Sequence, residues 1–460
     1  MKKYEQLYRR IKSDIESGLM GEGEKLLSIR EEARTSSLSV NTVITAYELL
    51  MDEGLIRSRE RGAYRVCSGA RGLTQTNRPR KSGHSRQTTA REAGERLDQL
   101  YERLLKVDPS FASAAPGLDI LPGKELSRIL SGLNPSWMNH HDPQGDAFLR
   151  ERLELVNRDF NGPSTGEDMV VTNGATEGLS LILGQVLSPG DRVALESPVY
   201  FNFFQQLHTL GVKIVEIPMT EEGMDLDILE REIKKQPVKL ILTQPNVQNP
   251  TGITMPENRR KALLALAEKN GIYLIQDDVF GDLSFSSLRP QNLSVLSDYP
   301  RLFQISSYSK SIAPGLRVGW IRSPRYAKEL AEAKLRLSME SSRLAQAALA
   351  SFIGTKEHRR HLLNIRKALA DRVEDHLSLL STVLPRGSYV RRPSGGCLLW
   401  VEYPREVNTT ELFEKAASGG LIATPGIMFS SGNDYNNCLR LNTGHKLTEE
   451  RRKKLELLGL

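Results

Sequence analysis

Four short apolar runs punctuate the long C-terminal part of this chain, and each stops at a turn residue: RVALESP (192–198), KIVEIP (213–218), KLILTQP (239–245) and IYLIQDD (272–278). Runs of this length, rich in Val, Ile and Leu, fit strands buried on both faces. ENRRKALLALAEKNG (257–271) is a helical stretch between two of them, and DMVVTNGATEGLSLILGQVL (168–187) reads as strand, glycine turn, helix. Such alternation predicts an α/β fold from about residue 108 onward, a mostly parallel sheet with helices on both faces. Sheets of this kind bind ligands beyond the carboxyl ends of their strands. The polar residues that follow each run are therefore the first candidates for a site.

At 460 residues the chain is too long for one ordinary domain. No apolar run approaches a membrane span, and the start, MKKYEQLYRRIKSDI, lacks the apolar core of a signal peptide. A cytoplasmic protein is expected. The three cysteines, Cys67, Cys397 and Cys438, are scattered without metal-ligand spacing, so reduced thiols and no metal site are expected. The net charge of +7 is modest, but its placement is informative. Residues 71–91 hold six cations and no acid, with almost nothing aliphatic to bury, and read as a mobile linker. Residues 92–106 then read as a helix with Leu97, Leu100, Tyr101, Leu104 and Leu105 on one face. The division that follows is a head at 1–70, a basic linker with its helix at 71–107, and a body at 108–460.

The head begins with YEQLYRRIKSDIESG, which places Leu7, Ile11 and Ile15 at helical spacing before Gly18. SIREEARTS is a second, shorter helix. Ser39 can cap a third, whose inner face is Val43, Ala46, Tyr47 and Leu50 and which Gly54 ends. LIRSRERGAYRV alternates apolar and basic residues about a glycine turn, as a small hairpin does. Three helices and a basic hairpin form a winged helix-turn-helix. Arg57, Arg59, Arg61 and Arg65 of the wing are candidates for phosphate contacts, and Arg30, Ser39, Asn41 and Thr42 for contacts from the second and third helices. A helical cap with a solvated basic face is the competing interpretation.

The head also resembles the GntR family. GLMGEGEKLLSIR covers that family's glycine-leucine-serine-arginine stretch through Gly18, Gly23, Leu26, Ser28 and Arg30, and SVNTVITAYELLMDEGLI matches its recognition helix and wing start. Glu22 and Leu27 stand where the family usually has proline, Val40 where it often has arginine, and Arg61-Gly62-Ala63 replaces the wing's Gly-x-Gly. The resemblance implies promoter DNA as a partner.

In the body, NGATEGLSL (173–181) opens a helix after a strand, and the N–H groups of a helix start make an anion site. SPVYFNF puts Tyr200 just after a strand end, where its ring can stack on a flat ligand. QPNVQNPTG places Asn249 before a Pro-Gly turn, and IQDD ends a strand in paired acids. SSYSKSIAPGLRVGW (306–320) sets Lys310 among four serines, with Arg317 beyond a Pro-Gly turn. A desolvated lysine is a nucleophilic amine, and hydroxyls with an arginine hold an anion. Alone, each motif is weak.

Together and in this order they resemble the fold-type I pyridoxal-phosphate enzymes of aminotransferase class I/II, over roughly residues 110–460. That resemblance implies large and small subdomains and pyridoxal 5'-phosphate as cofactor. It makes Lys310 the catalytic lysine that bonds to the cofactor aldehyde and Asp277 the partner of the pyridine nitrogen. Asn249 bonds the phenolic oxygen and Tyr200 stacks on the ring. Ala175, Thr176, Ser307 and Arg317 hold the phosphate, and Arg440 in NCLRLNTG grips a ligand α-carboxylate. HDPQGDAFLR (141–150) and RPSGGCLLWVE (392–402) match segments on the substrate side. Phe280 replaces the tyrosine that usually donates to the same phenolic oxygen.

A GntR-like head joined to an aminotransferase-like body is the layout of the MocR subgroup of transcription regulators. It implies a homodimeric regulator whose body senses an amino-acid-like or cofactor ligand. The alternative from another class is a working aminotransferase, converting an α-amino acid to a 2-oxo acid, with a fused DNA-binding-like head. The basic linker, the arginine-rich wing and Phe280 favour the regulator; Arg440 with Lys310, Asp277 and Asn249 favours the enzyme.

Overall fold

A computed structural model describes residues 3–17, 20–21, 23–52, 55–59, 63–67, 85–90, 92, 111–140, 142–286 and 288–459. Residues 93–106 of the expected linker helix and the wing residue Arg61 lie outside the described residues, as does the side chain of Arg59.

The head consists of α1 (Lys3–Ser17), α2 (Ile29–Thr35), α3 (Val40–Asp52) and an antiparallel hairpin of β1 (Ile56–Arg59) and β2 (Ala63–Val66). Leu7, Ile11 and Ile15 of α1 meet Val43, Ala46 and Leu50 of α3, and Ile56 and Val66 close the same core from the hairpin. The helix starts are chemically fixed. Ser28 and Glu31 form a capping box on α2, and Ser39 Oγ accepts from Thr42 N on α3 at 3.1 Å. Arg65 does not project as a free wing cation: it donates to the Gly23 carbonyl at 2.7 Å, and Lys25 bridges to its backbone. The wing is thereby tied to the turn before α2.

The body is built on one large sheet. Its strands are β3 (Arg86–Thr89), β4 (Met169–Thr172), β5 (Arg192–Ser197), β6 (Lys213–Thr220), β8 (Leu240–Thr243), β9 (Tyr273–Asp277), β10 (Leu302–Ser307) and β11 (Gly319–Arg322), with β7 (Gly223–Met224) paired to β6. The spatial order is β3-β6-β5-β8-β9-β10-β11-β4. From β6 to β10 the strands run parallel; β11 is antiparallel to both β10 and β4. Two reversals restore the direction, so β4 ends on the same edge as β5, β8, β9 and β10. The strands β4, β5, β8 and β10 are buried at every residue, as strands covered on both faces must be. Residues 86–89 depart from the linker expectation. They pair antiparallel with 213–216 and extend the sheet beyond β6, because Gln87, Thr88 and Thr89 suit a strand edge despite the basic surroundings.

Helices flank this sheet: α4 (Gly123–Ser131), α5 (Ala147–Asn161), α6 (Ala175–Val186), α7 (Asn202–His208), α8 (Leu226–Lys235), α9 (Glu257–Lys269), α10 (Ala327–Ser338) and α11 (Arg343–Phe352). A smaller antiparallel sheet follows α12 (Lys356–Val383), in the order β12 (Tyr389–Arg391), β13 (Leu398–Glu402), β15 (Cys438–Asn442), β14 (Thr424–Pro425), with α13 (Thr409–Ser418) and α14 (Glu449–Glu456). Val390, Leu399, Val401, Leu439 and Leu441 of that sheet bury against Val373, Leu377 and Leu380 of α12. Core side chains of this size each contribute about 1.5–3 kcal/mol on burial.

Candidate cofactor site

Strand ends converge on one cavity of about 130 Å³. Ala175 and Thr176 begin α6 after β4; Tyr200 follows β5; Gln244 follows β8; Asp277 ends β9; Ser307 ends β10 and Lys310 comes three residues later. These residues, with Asn249, Phe280, Ser309 and Arg317, line the same space. The eight residues carried into the cofactor set from sequence are therefore brought together.

One end of the cavity is made for an anion. Ala175 and Thr176, the first residues of α6, line it, and a helix start offers unpaired N–H groups and the positive end of the dipole. Arg317 lies over this helix start and donates to Asn173 O at 3.3 Å. Glycine is required beneath it. A Cβ on Gly174, at φ +83°, would stand 2.5 Å from Arg317 Nη2, and one on Gly319 would stand 2.5 Å from the Gly174 carbonyl carbon. The Ser307 hydroxyl is 2.8 Å from Ser309 Oγ and 2.9 Å from Val318 O, and it accepts from Ser309 N. Ser309 lines the cavity and was missed from sequence, although its position directly before Lys310 in a serine run was the visible signal.

The opposite end carries a buried acid. Asp277 accepts from Val279 N at 3.0 Å and from Gln244 Nε2 at 3.0 Å, and burial pushes its pKa up to about 7. Gln244 was also missed. Its Oε1 accepts from Asn249 N at 3.3 Å, so one amide side chain spans Asp277 and Asn249. Glu196 holds the Gln244 N–H and accepts from Thr243 Oγ1; burial raises it to about 7 as well. Asp278, the second acid of the pair, turns away. It is locked by Arg289 at 2.5 Å and by Asn246 and Asn292, an ion pair that supports the strand end.

Lys310 is half-buried, and desolvation lowers its pKa; Arg440 and Arg317 act in the same sense, Cys397 and Asp277 against it. Its Nζ lies 5.8 Å from the centre of the Phe280 ring, which offers no hydroxyl. Arg440 is not in the cavity wall. It is 2% exposed, donates to Asn249 Oδ1 at 3.0 Å, Ala112 O at 2.5 Å and Thr424 Oγ1 at 3.2 Å, and keeps an unpartnered Nε. Burial pushes its pKa down to about 10.

On the head, Arg30, Ser39 and Asn41 are exposed and Thr42 is half-buried, while the Ser39 hydroxyl is engaged with Thr42. Arg57 is half-buried with an unpartnered Nε. Among the described residues, no cluster of His, Cys, Asp and Glu suits a metal ion, and no helix is long and apolar enough to cross a membrane.

Fold and cavity together define a fold-type I aminotransferase body preceded by a helical head. The aminotransferase class I and II family matches residues 122–455. Two uncharacterised HTH-type transcriptional regulators of Escherichia coli K12 match end to end: YjiR is 32% identical, covering 100% of this chain and 98% of its own, and YdcR is 30% identical with the same coverage. A kynurenine aminotransferase structure from Pyrococcus horikoshii superposes with a TM-score of 0.73 at 27% identity, over 79% of this chain and 93% of that one. The chain belongs to the aminotransferase class I and II family and, within the HTH-type regulators, to the MocR-type GntR regulators.

Proposed function

We propose that the chain is a transcription regulator that binds pyridoxal 5'-phosphate in its body and promoter DNA through its winged-helix head, with an amino-acid-like or cofactor ligand as the signal. The carrying observation is the placement of Lys310, a half-buried amine that lines the same cavity as an anion cradle at Thr176 and Arg317 and a buried acid at Asp277. Burial favours the neutral, nucleophilic amine. The α6 N-terminus, Ser307, Ser309 and Arg317 suit a phosphate dianion. Asp277, held by Gln244, suits a protonated ring nitrogen, and Tyr200 suits the ring face. An arginine has no acceptor, so Asn249 must turn Oδ1 to Arg440 and present Nδ2 as a donor to the phenolic oxygen. When bound, the cofactor supplies an aldehyde for amines and an electron-withdrawing ring. Arg440 receives the carboxylate of the amino-acid-like effector by exchanging its neutral acceptors for a charged one.

The head reads DNA from the exposed start of α3, with Arg30 and Arg57 toward phosphates and Asn41 toward base edges. Two copies of the chain pair through the body. Support comes from Met138, 69% exposed in a cleft that Trp137 and Arg343 also line, and from Met339, 59% exposed and next in sequence to the cleft residue Glu340. A second reading, an aminotransferase with a fused head, is favoured by the presence of Lys310, Asp277, Asn249 and Arg440 in one constellation; Phe280 weighs against rapid turnover.

The test is chemical. The purified protein is expected to be yellow, and borohydride is expected to fix the cofactor on the peptide containing residue 310. Lys310→Ala abolishes that adduct; an adduct on another lysine overturns the assignment.

A further inference from the structure

Residues 85–90 carry more contacts than a spacer needs. As β3 they pair in register with β6, placing Arg86 opposite Glu216 and Thr88 opposite Ile214. Ser85 Oγ donates to Glu232 Oε1 at 2.6 Å, Ala90 N donates to Val212 O at 3.1 Å, and Ala90 is fully buried. Arg86 pairs with Asp434 at 3.0 Å, and its guanidinium lies directly on Gly432, where a Cβ would stand 1.0 Å from Nη1.

The surface beneath Arg86 leads to the cofactor cavity by two routes. Glu216 is 2% exposed; it accepts from Ser197 Oγ at 2.8 Å and from Ser431 N at 2.9 Å, and also from the Ser431 hydroxyl. Ser197 begins the turn that carries Tyr200, and Val199 N donates to Phe429 O at 3.0 Å. The 426–437 segment joins β14 to β15, which hold Thr424 and Arg440. One acidic side chain thus fastens the Tyr200 turn and the Arg440 loop together, under the docked linker strand.

We propose that the β6 edge and the 430–434 loop form a docking surface for this chain's own residues 85–90, and that its grip depends on what occupies the cofactor and effector site. This rests on the regulator reading given above. A carboxylate that draws Arg440 away from Thr424, or a ring that settles on Tyr200, moves the loop on which Arg86 lies. Releasing β3 returns residues 85–90 to the connecting segment, at about 3.3–3.6 Å of reach per residue, roughly 20 Å in all. That change resets the spacing at which two heads engage DNA half-sites.

Gly432→Ala is the discriminating variant, because the three atoms nearest the added methyl all belong to the Arg86 guanidinium and Gly432 does not line the cavity. The experiment uses full-length protein and a genomic duplex selected by the wild type. Affinity for that duplex is measured with and without pyridoxal phosphate for wild type, Gly432→Ala and Arg86→Ala. Hydrogen exchange of the 85–92 amides is followed in the same samples. The wild type is expected to show a cofactor-dependent affinity ratio on the order of 5- to 100-fold, the usual range of coupling between sites. Both variants are expected to bring the ratio toward one and to speed exchange at 87–89, while still taking up cofactor. A variant ratio equal to a wild-type ratio well away from one overturns the clip and leaves the regulator reading intact. A wild-type ratio of one overturns the coupling between the clip and the cofactor, whereas the regulator reading itself fails only if the wild type shows no salt-sensitive binding to any duplex.

Discussion

Arg440 and Asn249 are joined by a single hydrogen bond, Nη1 to Oδ1 at 3.0 Å, in a pocket where neither side chain is more than 2% exposed. That bond couples the residue assigned to the effector carboxylate with the residue assigned to the cofactor's phenolic oxygen. Arg440→Ala is therefore expected to weaken amino-acid-induced spectral change on the order of 10- to 100-fold, the equivalent of a lost charge-assisted hydrogen bond. Arg440→Lys is expected not to restore it, because an ammonium lacks the planar fork. Titration of the cofactor spectrum with amino acids measures both; full response in Arg440→Ala refutes the assignment.

Gln244 is expected to act on the cofactor through Asp277. Gln244→Leu removes the 3.0 Å donor to Oδ2 and the acceptor for Asn249 N. Cofactor affinity is expected to fall by about 1.5–3 kcal/mol, and the pH midpoint of the cofactor spectrum to move, since the charged form of Asp277 loses a stabilising donor. Equilibrium dialysis and a spectral pH titration check this. A drop in affinity with an unmoved midpoint would reduce Gln244 to a packing residue.

Burial raises Asp277 from 3.8 to about 7, so the folded, cofactor-free protein holds a proton there that the unfolded chain has released. Stability contributed by this group is present below about pH 4 and is lost as pH rises toward 7. His358 and His376, both pushed down to about 4 by burial, act in the opposite sense. The difference in stability between wild type and Asp277→Asn isolates the carboxyl: the wild type should lose ground between about pH 4 and 7 and level off above. Urea unfolding across that range measures it, and a flat difference contradicts the buried-acid account.

Phe280 is 2% exposed and lines the cavity near Lys310, with no oxygen to offer the phenolic side of the cofactor. Transamination is expected to be slow or absent, and Phe280→Tyr to raise whatever residual rate exists. Keto-acid production assayed beside spectral change decides the matter. Unchanged turnover in Phe280→Tyr removes the role given to the missing phenol.

The site was legible wherever a residue's chemistry and its place at a strand end coincided. Lys310 in a serine run, Asp277 at the end of an apolar run and Asn249 before Pro-Gly carry signals in neighbouring letters. Gln244 and Ser309 do not, because a polar residue at a strand end or in a hydroxyl-rich loop is ordinary, and only the fold brings Gln244 to Asp277 and Asn249 at once. Arg440 was legible as a residue but not in its bond to Asn249, which lies 191 positions away in sequence. β3 was hidden for another reason. RQTT sits inside a cationic segment, and its strand state comes from the open edge of β6, a tertiary partner that composition does not encode. In the head, helical spacing located α1 and α3, whereas the Arg65 contact with Gly23 depends on how the wing folds back.

A genome-wide footprint of the full-length protein with and without pyridoxal phosphate tests the central claim most directly. The account expects discrete sites with paired half-sites, binding that weakens steeply with salt as phosphate contacts release counterions, and occupancy that changes with the cofactor in wild type but not in Lys310→Ala. Absence of salt-sensitive sites, together with robust multiple turnover of a common amino acid and keto acid, would contradict it and make the chain an aminotransferase with a DNA-binding-like head.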